Sequence, residues 1–213
     1  MQPVTIRFNT LSRLWIAAIA AFALMIPAVA SAQFSDSYNF LKAVRERDGD
    51  KATQMLNEPG STIVNTKDIT SGESALHIVT ARRDLTWMGF LLQKGANPNV
   101  RDKNGVTPLM LATTLRFVDG AETLLARKAQ VDATNNSGET ALIRAVQLRD
   151  LAMVRLLLKA GANADKQDTI AGQSARDYAG GDFRNPQILE AIKENDKDRT
   201  GGTKTPNVFG PTG

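Results

Sequence analysis

The chain has 213 residues, 42% of them hydrophobic and 23% charged, with 26 Lys and Arg against 22 Asp and Glu, a single His and no Cys. This balance is too apolar for a wholly disordered chain and too polar for a multispanning membrane protein. Disulfide frameworks, thiol catalysis, iron–sulfur clusters and Cys/His zinc sites are excluded or nearly so, and a net charge of +4 gives little pull toward polyanions.

Residues 1–13 carry Arg7 and Arg13 and no acid, Leu14 to Ile26 is an unbroken apolar run, Pro27 interrupts it, and Ala30-Ser31-Ala32 offers small residues for cleavage. The layout predicts a secretory signal over 1–32. The run would rise about 20 Å as a helix, short of the roughly 30 Å hydrocarbon core, so an uncleaved anchor is the weaker reading. No Cys follows the run and no Arg-Arg pair precedes it, which argues against lipoprotein and twin-arginine export. The expected destination is a bacterial periplasm.

The remainder repeats. Over 33–64, Phe40, Ala43, Met55 and Leu56 precede Leu76, Val79, Leu91 and Leu92 by a constant offset, with the surplus absorbed around Pro59-Gly60, which predicts a degenerate first unit. Units at 65–100, 101–133 and 134–166 follow: Gly72, Gly105 and Gly138 are evenly spaced, with Leu76, Leu109 and Leu142 in step. A period of this length predicts a solenoid. The columns Leu85/Val118/Leu151, Met88/Ala121/Val154, Leu91/Leu124/Leu157 and Leu92/Leu125/Leu158 form one apolar helical face. Ser74, Thr107 and Thr140 cap a first helix, with Pro108 at its opening position; Asp84 and Asp150 cap a second, which Gly95 and Gly161 end. A degenerate closing unit is expected over 167–194, where Arg176 replaces the core Leu, and a disordered tail over 195–213, rich in Gly and Pro. Gly201-Gly202-Thr203-Lys204-Thr205 lacks the spacing of a phosphate loop.

Two departures weaken the middle of the array. Lys128 stands where a closing Gly is expected, a left-handed strain of about 1–2 kcal/mol. Gly89 and Gly120 lie inside second helices at about 1 kcal/mol each. No catalytic constellation is visible: Ser74, Thr107 and Thr140 are committed to capping, and Asp68, Asp102 and Glu139 fall on turn tips as solvated charge. No carboxylate cluster accompanies His77, so no metal is assigned.

The runs Gly72-Glu73-Ser74-Ala75-Leu76-His77, Gly105-Val106-Thr107-Pro108-Leu109-Met110 and Gly138-Glu139-Thr140-Ala141-Leu142-Ile143, with closings such as Leu157-Leu158-Lys159-Ala160-Gly161-Ala162, resemble the ankyrin repeat. The resemblance implies an all-α solenoid of helix-turn-helix units joined by short β-turn fingers, five stacked units of which two are caps. It implies a structural role for His77, bonding between neighbouring turns. It also implies partner binding through the turn tips at Lys67, Ile69, Thr70, Arg101, Lys103, Asn104, Val106, Asn136, Ser137 and Glu139, and through first-helix ends at Ala81, Arg82, Thr114, Leu115, Gln147 and Leu148. Where the family pattern usually has Gly between the helices, this chain has Arg47, Arg83, Arg116 and Arg149, followed by Asp except at Phe117. Two accounts stay open: arginine stems covering apolar surface with their heads in water, or a cationic stripe reading an acidic partner. The expected function is noncatalytic protein–protein binding by a monomer to a periplasmic protein, with no cofactor, metal, nucleic acid or membrane association after signal removal. The alternative is an accessory or chaperone-like factor stabilising one specific periplasmic enzyme.

Overall fold

The computed structural model describes residues 36–201; the expected signal over 1–32 and the stretch beyond Gly201 lie outside the described residues. Helix α1 covers 36–46 and pairs in sequence with α2, Gly49–Leu56; a 3-10 turn at Ile63–Asn65 leads on. The pairs α3 (Ala75–Ala81) and α4 (Leu85–Gln93), α5 (Pro108–Thr114) and α6 (Val118–Ala126), α7 (Ala141–Gln147) and α8 (Leu151–Lys159), and α9 (Ala175–Gly181) and α10 (Pro186–Gly201) follow. Helices α3, α5, α7 and α9 stack side by side in one layer, and α4, α6, α8 and α10 in the other. Among the described residues the only extended pairing is at isolated bridges, Lys67 with Ser74, Thr134 with Thr140 and Gln167 with Ser174. This is an all-α repeat solenoid.

Local chemistry sets the helix starts. Thr107 and Thr140 hydroxyls accept from the N–H groups of Met110 and Ile143 at 3.3 and 3.2 Å. The carboxylates of Asp48, Asp84 and Asp150 accept from Lys51, Trp87 and Met153 at 3.0, 3.1 and 3.1 Å. Each cap satisfies a backbone donor that the first helical turn leaves open. Between the layers the expected columns close: Leu76, Leu109, Leu142, Leu91, Leu124 and Leu157 are all buried. Leu85 is an exception, 40% exposed at the first position of α4, with Val118 and Leu151 only half-buried beside it in the series. That column lies at the rim of the apolar face.

The C-terminal boundary also differs from expectation. Helix α10 continues through Asn195 to Gly201. Ile188, Ala191 and Ile192 anchor its first turns in the core, and Arg176 Nη1 binds Asp196 Oδ2 at 2.8 Å while its Nε binds Asp165 Oδ1 at 2.6 Å. The Arg that replaces a core Leu therefore ties the last helix down.

The two interior glycines have different origins. A methyl at Gly120 would meet the Phe117 ring at 2.3 Å, whereas one at Gly89 would meet nothing within 4 Å. Phe117 occupies the position of the capping Asp, offers no acceptor to the helix start, and buries its ring over Gly120 instead. Lys128 adopts φ 65°, the left-handed conformation expected of it. Gly89→Ala should raise stability by about 1 kcal/mol in denaturant titration, the ordinary helix gain. Gly120→Ala should lower it, because the ring must leave; equal gains for the two would show that the ring is not seated there.

Candidate partner-binding surface

The fingers are built from turn chemistry. Each closes on itself through the backbone: Asp68 N–H to Glu73 O at 2.8 Å, and Asp102 to Val106, Asn135 to Glu139 and Asp168 to Gln173, each at 3.0 Å, with a second bond from Gly72 to Asp68, Gly105 to Asp102 and Gly138 to Asn135 in the first three. The opening Asp or Asn folds its side chain back onto its own turn. Asp102 Oδ1 accepts from Asn104 and Val106, both at 2.8 Å, and Asn135 Oδ1 from Ser137 and Glu139 at 2.9 and 3.0 Å. Asp68 and Asp102 are thus half-buried turn acceptors rather than freely solvated charge. The Arg45 guanidinium, 2.7 Å away, is the main reason that the Asp68 carboxyl is held below its ordinary range. Successive fingers join through Lys103 N–H to Ser71 O at 3.1 Å, Asn136 to Asn104 at 3.0 Å and Thr169 to Ser137 at 2.9 Å. A methyl at Gly72 would fall 2.7 Å from Lys103 N, so the fingers approach too closely for any other residue there.

His77 spans one junction. Its Nδ1 accepts from the Ser74 N–H at 3.2 Å, which leaves Nε2 to donate to the Val106 carbonyl at 2.9 Å. The ring is buried, and burial pushes its pKa below the ordinary 6.5.

Lys67, Ile69, Thr70, Arg101, Lys103, Asn104 and Asn136 are exposed along the finger row, and Ala81, Thr114 and Gln147 line the helix ends facing it. Other candidates are engaged within the fold. Val106 packs against the core, and Glu139 pairs with Arg144 at 3.1 Å. Leu115 and Leu148 are half-buried helix ends. Arg82 turns inward: Nη1 donates to the carbonyls of Val44 at 2.5 Å and Arg45 at 3.1 Å, with the guanidinium 5.9 Å from the Trp87 ring centroid. Its orphan carbonyl partners belong to the end of α1.

The arginine column is exposed and reaches across the junctions between units. Arg47, Arg83, Arg116 and Arg149 have φ of 61°, 55°, 53° and 57°, the conformation for which the family keeps Gly. Their heads reach the next unit: Arg47 Nε to Asp84 at 3.2 Å, Arg83 to the carbonyl of Leu115, Arg116 to that of Leu148 at 2.5 Å, and Arg149 to Asp182 at 2.7 Å. A cation at a helix C-terminus satisfies open carbonyls and opposes the helix dipole. The column is a set of clamps between units.

Sequence reading missed the hollows in the surface, two of which are lined by helices of successive units. One, of about 340 Å³, lies between α7 and α9 over Val146, Gln147, Tyr178 and Gly181. There the Tyr178 hydroxyl donates to Asp168 Oδ2 at 2.7 Å, pushing the phenol's pKa up and the carboxyl's down. Gly181 follows Ala81, Thr114 and Gln147 in series, so aligning the last unit helix by helix would have pointed to it. The other, of about 320 Å³, lies between α2 and α4 beside Trp87 and Phe90, whose rings meet edge to face at 5.7 Å. No group of three or more potential metal-holding side chains occurs among the described residues, and none of their helices is long and apolar enough to cross a membrane.

Stacked helix pairs with a hydrogen-bonded finger row define a repeat-solenoid scaffold. The sequence profile of ankyrin repeats in three copies matches residues 40–135 and, overlapping, 76–168, and the chain belongs to the ankyrin-repeat family. It is similar to ANK repeat-containing protein nipk-1 of Caenorhabditis elegans, 28% identical over 155 residues, 66% of this chain and 25% of that protein. A putative ankyrin repeat protein of Rickettsia bellii is 37% identical over 100 residues, 44% of this chain and 29% of that one. The B-cell lymphoma 3 protein homolog of Mus musculus is 34% identical over 127 residues, 57% and 28% respectively. This chain spans 25 to 29% of the length of these relatives. Ankyrin repeats generally mediate protein–protein interaction and are typically noncatalytic.

Two measurements follow. Arg116→Ala keeps the left-handed strain and loses the clamp, whereas Arg116→Gly loses the clamp but relieves the strain; Ala should be the less stable by about 1 kcal/mol. Equal stabilities would mean that the strain is absent. On acidification, the unfolded chain protonates His77 near pH 6.5 before the folded one does, so this part of the stability is present above about 6.5 and lost as pH falls below it. A second loss should begin near 3.8, where unfolded carboxyls protonate but Asp68, Asp165 and Asp182, held down by their arginines, do not. His77→Gln should flatten the first fall in stability against pH and leave the second.

Proposed function

We propose that this chain is a noncatalytic binding module of the bacterial periplasm, holding a partner protein in the trough between the finger tips and the exposed ends of the first helices. One observation carries the reading: every finger is bonded within itself and to its neighbour, while Lys103, Asn104 and Asn136 stay exposed. A surface whose backbone is already ordered loses little conformational freedom on binding. Opposite the tips, the helix ends carry Ala81, Thr114 and Gln147, small or uncharged side chains that leave room for a partner. Export with cleavage after Ala32 completes the proposal, supported by the charge, length and ending of the segment before Gln33.

The test is obstruction. Thr114→Arg and Gln147→Arg place bulk in the trough at exposed positions, and Glu122→Arg on the opposite layer serves as control. All three should fold with stability within about 0.5 kcal/mol of the parent. The first two should abolish retention of the periplasmic protein that co-purifies with the parent, and the control should retain it. Loss only in the control would move the interface to the second helices. N-terminal sequencing of the exported chain should begin at Gln33; recovery of intact Met1 from a membrane fraction would refute export. A one-to-one complex that raises the thermal midpoint of a bound enzyme would favour the dedicated accessory role over general scaffolding.

A further inference from the structure

Most of the arginines described above are engaged within the fold. Arg45, Arg47, Arg144, Arg149 and Arg176 pair with carboxylates, and Arg82, Arg83 and Arg116 bind helix-end carbonyls. The tips of the first two fingers differ. Lys67 Nζ donates to the Arg101 carbonyl at 2.7 Å and Arg101 Nε to the Gly105 carbonyl at 3.2 Å, so both keep an uncompensated charge. The Lys103 stem lies across Gly72, where a methyl would stand 3.1 Å from its Cγ, and its ammonium has no polar partner among the described residues.

Three acids share these fingers, and all are turned inward. Asp68 binds Arg45, Glu73 accepts from the Ser71 hydroxyl at 3.1 Å, and Asp102 accepts from its own turn; each is half-buried, whereas the three cations are exposed. An approaching chain meets positive charge first. The tips of the next two fingers, Asn136, Ser137, Thr169 and Ile170, carry no charge.

A second feature points the same way. In each later finger the residue after the opening Asp or Asn donates its N–H to the preceding finger: Lys103 to Ser71, Asn136 to Asn104, Thr169 to Ser137. Ile69 is the first of this series, and its N–H has no partner among the described residues. Among the described residues the row therefore ends in an open backbone donor, beside an isoleucine side chain 75% exposed and two residues from Lys67. Donors and positive charge at one end call for a segment rich in acceptors and negative charge.

We propose that the open end of the finger row, Ile69 with Lys67, Arg101 and Lys103, receives an extended acidic segment of a protein partner, its backbone carbonyl on the Ile69 N–H and its carboxylates over the cations. The proposal rests on the protein-binding reading above and names the chemistry of that partner. Packed units are about 10 Å apart, so about six extended residues at roughly 3.3 Å each would cover the two fingers.

The probe is a short peptide alternating Glu and Thr, titrated into the isotope-labelled chain, with a Lys–Thr peptide and inorganic polyphosphate as comparisons. The acidic peptide should shift the amides of 67–72 and 101–105, slow solvent exchange at Ile69 N–H and bind more weakly as salt rises. The triple variant Lys67→Gln, Arg101→Gln, Lys103→Gln should lose about tenfold in affinity, while Arg127→Gln, Lys128→Gln, Lys159→Gln, removing equal charge elsewhere, should not. Should the first triple misfold, Lys103→Gln alone suffices, since that side chain has no polar partner to lose. Equal loss in both triples, no binding of the acidic peptide, or tighter binding of polyphosphate at the same amides would overturn the proposal. A native partner that binds the first triple undiminished but fails on Thr114→Arg would overturn it too, and would leave the binding-module reading standing.

Discussion

One backbone hydrogen bond per junction holds the finger row in register, and the arrangement of the surface depends on it. Lys103 to Ser71, Asn136 to Asn104 and Thr169 to Ser137 are the same bond made three times. To make it, the neighbouring backbone must pass within 2.7 Å of where a side chain at Gly72 would start, and within 2.8 Å at Gly138. Glycine is required there both for that approach and for φ of 76° and 71°. Once the turns are locked, the side chains left exposed at their tips define what the row presents.

Coupling between helix pairs is achieved differently. A non-glycine residue in the left-handed region costs about 1–3 kcal/mol, and this chain accepts it four times in the Arg column. The clamps are solvent-exposed, where an ion pair contributes about 0–1 kcal/mol, so they offset only part of the strain. What remains is dependence of each unit on the next. An Arg at this position stabilises only when its neighbour is folded, which favours propagation through the stack over independent opening of single units. The first junction shows the same logic in reverse, with Arg82 reaching back to the end of α1.

Period, caps and turn glycines were legible in the sequence because each is a local requirement repeated at a constant offset. Ser, Thr and Asp before most helices, and Gly at each finger turn, state the backbone conformation almost directly. What could not be read there depends on where long side chains come to rest. The column Arg47, Arg83, Arg116 and Arg149 was visible, but its destinations lie about one unit further along the chain, at acceptors that are main-chain carbonyls in two cases and carry no residue signature. Arg176 read as the loss of a core Leu and a sign that the array was ending; instead its ion pair with Asp196 joins α9 to the last helix, while a second pair joins it to Asp165. Phe117 and Gly120 each looked like a defect alone. Together they are a ring and the space for it, a pairing that no periodic template contains. Among site candidates the exposed tips followed from the resemblance, whereas the inward turn of Arg82 required knowing that the carbonyls of Val44 and Arg45 lie within its reach.

The distribution of charge then follows from satisfying the backbone. Turns need acceptors for their own N–H groups, and Asp68 and Asp102 supply them by folding inward. Helix ends need donors for their carbonyls, and Arg83 and Arg116 fold across to supply those. Both demands tie charged side chains to turn and helix-end backbone groups at several junctions. At the first two fingers the demands are unequal: the acids are used by the turns, while Lys67 and Arg101 touch carbonyls that neutralise nothing and the Lys103 ammonium has no polar partner among the described residues. The excess positive charge falls where the ladder of N–H donors also runs out, at Ile69. Directional hydrogen bonding and local charge thus share one end of the row, as a consequence of how the repeats stack and where the stacking begins.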